Sequence, residues 1–345
     1  MLRQCAAASW AAPPKTLNAA TVGDIQSVYD WPTENCAQRH APDLARCAFS
    51  FKCKNLTEQN LGICRDCDPD VVDAPTKAYR RLRSAGGEET VLQGSVNWGS
   101  RAQIGLTLDS VKHSCEVYYN ATWEQKPQLY ASREWIQSPW IFPNQSMIGL
   151  THMEHHCDTA GSDGSLSCQA LNLSVGGGDF SAVTLLASDD GGRSWYHARR
   201  PPGHVVAASP QNFTVGGNRL GFRSPSNIVQ GVGDQAGFYF ATVTSGWGAP
   251  GGEGGCDEYV DPKGLQHFCT CMMRTRDLTD PHAWRAWNGS HFSVPLFATP
   301  WDSPTPNPAE HVCKPTIAMT CEWASFIQFE LDLLAFSFLS CYSHV

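Results

Sequence analysis

The 345-residue chain is 42% hydrophobic and only 17% charged, enough apolar material to bury a sizeable core in one large domain or two. Its net charge of −8 and the lack of a long Lys/Arg run exclude a typical nucleic-acid-binding surface; Arg80-Arg81-Leu82-Arg83, the densest basic patch, reads as a solvated loop. Gly 30 and Pro 22 suit many short strands joined by turns.

Met1-Leu2-Arg3 followed by the small residues of 5–12 lacks a leucine-rich segment, so residues 1–26 are expected to be a tail or a truncated signal region. Pro75–Arg83 is the best short helix candidate, because proline is tolerated in a first helical turn. Strand-like runs follow at Glu116–Trp123, Ser146–His156 and Ala182–Ala187, the last reading as a buried strand. Next comes Ser188-Asp189-Asp190-Gly191-Gly192-Arg193-Ser194-Trp195, in which an Asp can accept backbone N–H groups and two glycines can take positive φ. Further strands are expected at His204–Ala208, Gly237–Ser245 and Phe268–Arg276, separated by Gly, Pro, Asn and Asp clusters. The glycine-rich stretch 246–255 lacks a Gly-Lys-Ser/Thr ending and is no phosphate cradle. After Asp332 the unbroken apolar run is too short to span a bilayer, and residues 321–345 read as an atypical apolar tail. Many short strands without alternating helices point to an all-β barrel, sandwich or propeller.

Fifteen cysteines and six Asn-x-Ser/Thr sequons, at Asn55, Asn120, Asn144, Asn172, Asn212 and Asn288, favour a secreted, disulfide-bonded, glycosylated protein. Roughly two sequons would arise by chance. Cys64-x-x-Cys67 has no second pair at zinc-site spacing and Cys269-x-Cys271 has the wrong form, so disulfides are expected there; a Cys256–Cys269 staple is one pairing. In the strand around 148–156, alternation puts Leu150, His152, Glu154 and His156 on one face. A Glu beside histidines suits acid/base work, and the same three polar residues are the alternative metal set, although they do not match His-Glu-x-x-His. Neither a metal nor a cofactor is expected. The tryptophans Trp135, Trp140, Trp284 and Trp287 serve either as sugar platforms or as packing between sheets.

The residues Ser188, Asp190, Gly192 and Trp195 fit the Asp-box of sialidase-like β-propellers. With His40-Ala41-Pro42-Asp43, Arg46, Trp135-Ile136, residues 150–154, residues 224–229 and residues 271–289, the chain resembles a secreted, glycosidase-like family of the sialidase and arabinanase type over roughly residues 28 to 300. It departs from true sialidases in having a single full box and no Arg-Ile-Pro motif. The resemblance implies an all-β fold, a five-bladed propeller over residues 27–320, incomplete at the termini. It implies Asp43 as base or nucleophile and Glu154 as general acid, with His152, Arg46, Asn227 and Arg274 binding a glycan. Glycoside hydrolysis needs two carboxyl groups facing one sugar. The alternatives are a carbohydrate-binding or adhesion propeller that has lost catalysis, and a truncated product without a stable fold. Nucleic-acid partners and a membrane span are not expected.

Overall fold

The computed structural model describes residues 78–155, 180–209, 220–246 and 269–314 apart from isolated positions, and strands at 74–75, 317–318, 323–329 and 333–340. Among them there is no α-helix, only short 3-10 turns between strands. Strands are observed at every run expected from the sequence, shifted by a few residues. They are β5 (Lys112–Asn120), β7 (Met147–His155), β8 (Phe180–Ser188), β10 (Val205–Ala207), β13 (Tyr239–Gly246) and β14 (Cys269–Thr275).

The helix expected at Pro75–Arg83 is not formed. Its place is taken by β1 (Ala74–Pro75) and β2 (Tyr79–Leu82). Tyr79 and Arg81 are buried while Arg80 and Leu82 are exposed, a period of two that a helix cannot satisfy. β2 pairs antiparallel with β3 (Glu88–Val96), which continues through β4 (Gly99–Gly105) to β5, giving a five-stranded sheet that includes β1.

A second sheet of twelve strands is built around β7 and β8, which are buried at all but one position each. Such double-sided burial explains why β8 reads as a mainly apolar run. β6 (Glu134–Ile141) flanks β7, and β9 (Tyr196–His197) and β10 both pair with β8. β8 then pairs in parallel with β11 (Leu220–Arg223), which leads to β13, β14, β15 (Arg285–Trp287) and β16 (Phe292–Pro295). The short β12 (Val229–Gln230) pairs β13 and β17 (Ile317–Ala318) pairs β14. Within the apolar 321–345 segment, β18 (Trp323–Phe329) and β19 (Leu333–Ser340) form an antiparallel hairpin. Cys271 is disulfide-bonded to Cys313, tying β14 to the chain beyond β16 across 42 residues. The Cys256–Cys269 pairing lies outside the described residues, as Cys256 does.

Two apolar interfaces organise the fold, one between the sheets and one among the strands of the second sheet. Tyr79, Val91, Tyr118 and Tyr119 of the first sheet pack on Ile136, Met147, Leu186 and Trp195 of the second. A larger core joins Leu150, Val183 and Leu185 to Phe222, Val243, Met273 and Trp284.

The turn between β8 and β9 fixes the first of these interfaces. The Ser188 hydroxyl donates to Asp190 Oδ1 (2.8 Å) and accepts from Gly192 N–H (2.9 Å). Asp190 Oδ1 also accepts from the N–H groups of Arg193 and Ser194 (both 2.9 Å), and Oδ2 from the Ser194 hydroxyl (2.6 Å). Partial burial works against ionisation of Asp190, yet these donors hold its carboxyl below the usual carboxylate range. The Trp195 ring lies over Gly149, where an added Cβ would come within 3.1 Å of it, and its indole N–H donates to Gly192 O (3.1 Å). The turn also grips the other sheet: Arg81 Nη1 donates to Gly191 O (3.1 Å), and Arg193 Nη2 to Leu82 O (3.1 Å). Glu89 accepts from both arginines, from Arg81 Nε at 2.7 Å and Arg193 Nη2 at 3.4 Å.

Gly192 has φ +79° and a Cβ there would sit 2.5 Å from Tyr79 Oη, whereas Gly86, at φ +86°, has nothing within 4 Å. Gly86→Ala is expected to cost only the left-handed penalty of about 1–2 kcal/mol. Gly192→Ala is expected to cost about 1–3 kcal/mol more, from overpacking against the first sheet. Urea unfolding of the two variants checks this; equal costs would mean that the turn does not set the sheet–sheet spacing.

Candidate functional site

Two carboxylates on neighbouring strands face opposite sides of the second sheet. Glu134 opens β6 and stands opposite Met153 of β7; the next residue, Glu154, therefore projects to the other face.

On the Glu154 face the expected alternation of His152 and Glu154 is observed. His152 Nε2 lies 3.3 Å from Glu154 Oε1, with both side chains largely but not fully covered. His152 Nε2 is also 3.4 Å from Ser181 Oγ, and its ring packs against Trp135 with centroids 5.4 Å apart. His155 points the other way and stacks on Phe180 (5.1 Å), while His156 lies outside the described residues. The backbone leading into β6 is strained: Tyr130 (φ 52°) and Arg133 (φ 47°) both take left-handed conformations, and Arg133 O accepts from Glu154 N–H (3.2 Å).

The other face carries a group that the sequence did not single out. The Glu134 side chain is completely buried. Its oxygens accept from Tyr119 Oη (2.5 Å) of the first sheet and Thr184 Oγ1 (2.5 Å) of β8. His197 Nε2 of β9 lies 2.7 Å from Oε2, and His204 Nε2, just before β10, lies 3.6 Å from Oε1. Burial opposes ionisation of Glu134, but the His197 bond and the two imidazoles outweigh it and hold the carboxyl well below the usual carboxylate range. Burial likewise acts to lower the His197 pKa, and Glu134 more than reverses it, leaving it raised. Burial first, then the adjacent Glu134 charge, pushes the Tyr119 hydroxyl well up, so it stays a donor. These features keep Glu134 ionised and sealed from solvent.

The remaining sequence-derived residues are dispersed. Asp43 and Arg46 lie outside the described residues, as do Asn55, Asn172 and Asn212. Asn120, Asn144 and Asn288 are exposed. Asn227 is half-buried just beyond β11, where its carbonyl accepts from Ser226 Oγ (3.1 Å). Arg274 is sandwiched between Phe238 and Phe292, its guanidinium 3.9 and 4.5 Å from the ring centroids, and donates to Gln235 Oε1 (2.8 Å). The register Glu154–Ser181–Gly221–Gly246 marks one end of the sheet, and Cys269 pairs at that end with Ser245. Arg274 is five residues further along β14, roughly 16 Å away. The structure thus brings His152 and Glu154 together and leaves Arg274 at the other end. Trp135 and Trp284 are buried, so packing is their role; Trp140 and Trp287 are half-buried against Tyr239 and Phe292.

No family model and no curated protein sequence matches the chain. Among solved structures, it is similar to an α-L-arabinanase of Penicillium chrysogenum complexed with arabinobiose, at 13% identity and TM-score 0.31 over 67% of this chain and 56% of that one. It is similar to a thermostable family-43 glycoside hydrolase at 9% identity and TM-score 0.34, over 74% and 61%. An α-L-arabinofuranosidase of Fusarium graminearum bound to an iminosugar inhibitor gives 11% identity and TM-score 0.33, over 75% and 69%. The chain thus spans less than two thirds of the first two. Likeness of this degree fixes neither a site nor a reaction, so the role of each carboxylate must be tested on its own geometry. Glu134→Gln removes the charge that His197 and Tyr119 compensate, and is expected to destabilise the fold by about 3–5 kcal/mol. Chemical unfolding measures it; a loss below about 1 kcal/mol would mean that the buried carboxylate is not structural.

Proposed function

We propose that the chain is a glycoside hydrolase built on a β-propeller, with Glu154 as general acid and Asp43 as base or nucleophile. His152 and Arg46 orient the sugar. The reading is carried by the pairing of Glu154 Oε1 with His152 Nε2 at 3.3 Å, on a face that keeps both side chains partly accessible. A general acid must reach the proton acceptor in the substrate and be held in one rotamer, and the Ser181–His152–Trp135 packing supplies that hold. Glu134 does not serve as the second carboxylate: it is sealed from solvent beneath Tyr119, Thr184 and the two histidines, so no sugar oxygen can approach it. The carboxylate partner therefore has to come from elsewhere, and Asp43 is the sequence's candidate. The exposure of Asn120, Asn144 and Asn288 and the Cys271–Cys313 disulfide support passage through a secretory compartment. Five blades and ring closure belong to the same proposal.

Hydrolysis of a panel of aryl glycosides and plant or algal polysaccharides tests it. Glu154→Gln is expected to lower kcat/KM by about 10²–10⁴-fold on poor leaving groups, and less on nitrophenolates, which depart without protonation. Full activity in Glu154→Gln overturns the assignment of the acid. No turnover by folded wild-type protein replaces the enzyme reading with the carbohydrate-binding one.

A further inference from the structure

The structure assigns a structural divalent-metal site of the zinc class to Glu134, His197 and His204. One donor atom from each of the three side chains lies within 4.8 Å of the others. The donors come from three separate segments, the start of β6, β9 and the residue preceding β10, so the cluster is a product of the tertiary fold.

His204 is the observation that points to an ion. Its side chain is fully buried, and neither ring nitrogen finds a hydrogen-bond partner among the described residues. An imidazole in that state forfeits its hydration without replacement. Yet its Nε2 faces Glu134 Oε1 at 3.6 Å, too long for a hydrogen bond and suited to two ligands of one ion at about 2.0–2.2 Å from each. His197 Nε2 already touches the other carboxylate oxygen at 2.7 Å. Its N–H donor would be replaced by a nitrogen–metal bond, so each ion bound releases any proton held between His197 and Glu134. Imidazole and carboxylate together favour Zn²⁺ or a similar first-row ion over Ca²⁺ or Mg²⁺. Tyr119 and Thr184, hydrogen-bonded to the carboxylate, act as the positioning groups around the ligands. With Glu134 and His204 fully buried and His197 mostly covered, the site ties β6, β9 and the start of β10 together within the second sheet and is structural instead of catalytic.

The test is metal analysis of purified wild-type protein, stripped with chelator under native conditions and then refilled with Zn²⁺ or Co²⁺. About one ion per chain, a higher unfolding temperature on refilling, and visible Co²⁺ bands of a low-symmetry site are expected. His204→Ala should lose the ion and the bands, and Tyr119→Phe should bind about 10–100-fold more weakly. Glu154→Gln, which disables the other face, should keep both, which separates this site from the proposed acid. Folded wild-type protein that takes up no ion and gains no stability overturns the assignment, leaving a buried hydrogen-bonded triad. So does Co²⁺ binding that survives in a folded His204→Ala protein.

Discussion

A carboxylate with no solvent contact must either be neutralised or be surrounded by donors, and the arrangement around Glu134 follows from that constraint. Desolvation of a charge costs several kcal/mol even after relaxation, so every neighbouring element is committed to compensating it. Tyr119 brings the first sheet, Thr184 the central strand β8, and His197 the outer strand β9. The apolar interface between the sheets would tolerate sliding by itself, because burial of area has no direction. Hydrogen bonds to a single carboxylate do not tolerate it. Glu134 thereby sets how the two sheets meet, and indirectly where the next strand presents Glu154 on the opposite face.

The turn at Ser188–Trp195 does the same at the other end of that interface with a different device. Asp190 organises backbone N–H groups into a rigid loop, and the loop carbonyl of Gly191 then serves as an acceptor for Arg81. Glu89 sits between Arg81 and Arg193 and balances both charges. One interface is therefore pinned at two places, by a buried acid and by a buried arginine of opposite sign.

Much of this fold was legible in the chain. β8 announced itself as an apolar run, and in β7 the alternation that placed His152 beside Glu154 needs only the two-residue period of a strand. The residues of the β8–β9 turn gave its internal hydrogen bonding in advance, since Ser188, Asp190 and Ser194 act within four positions of themselves. What failed or went unseen involved distant partners. Tyr79–Leu82 looked helical because its exposed Arg80 and Leu82 and buried Arg81 acquire meaning only when β3 and Gly191 are beside them. Glu134 sits 63 residues from His197, and nothing local marks an acid at the head of an apolar strand as buried. The one signal available was a Glu directly preceding Trp135-Ile136 without a lysine or arginine after it in the strand to pair on the surface. Asp43 and Arg46 rest on resemblance alone.

The clasp from Arg81 to Gly191 spans 110 positions of sequence. Closing a loop of that length is entropically costly before any contact rewards it, whereas the β2–β3 and β6–β7 hairpins form between near neighbours. The sheets are therefore set to assemble separately and dock late. Until then Trp195, Tyr79 and Met147 present an uncovered apolar surface. For a chain rich in cysteine, that interval is also when thiols are free to mispair, so the speed of docking bears on how much protein matures correctly.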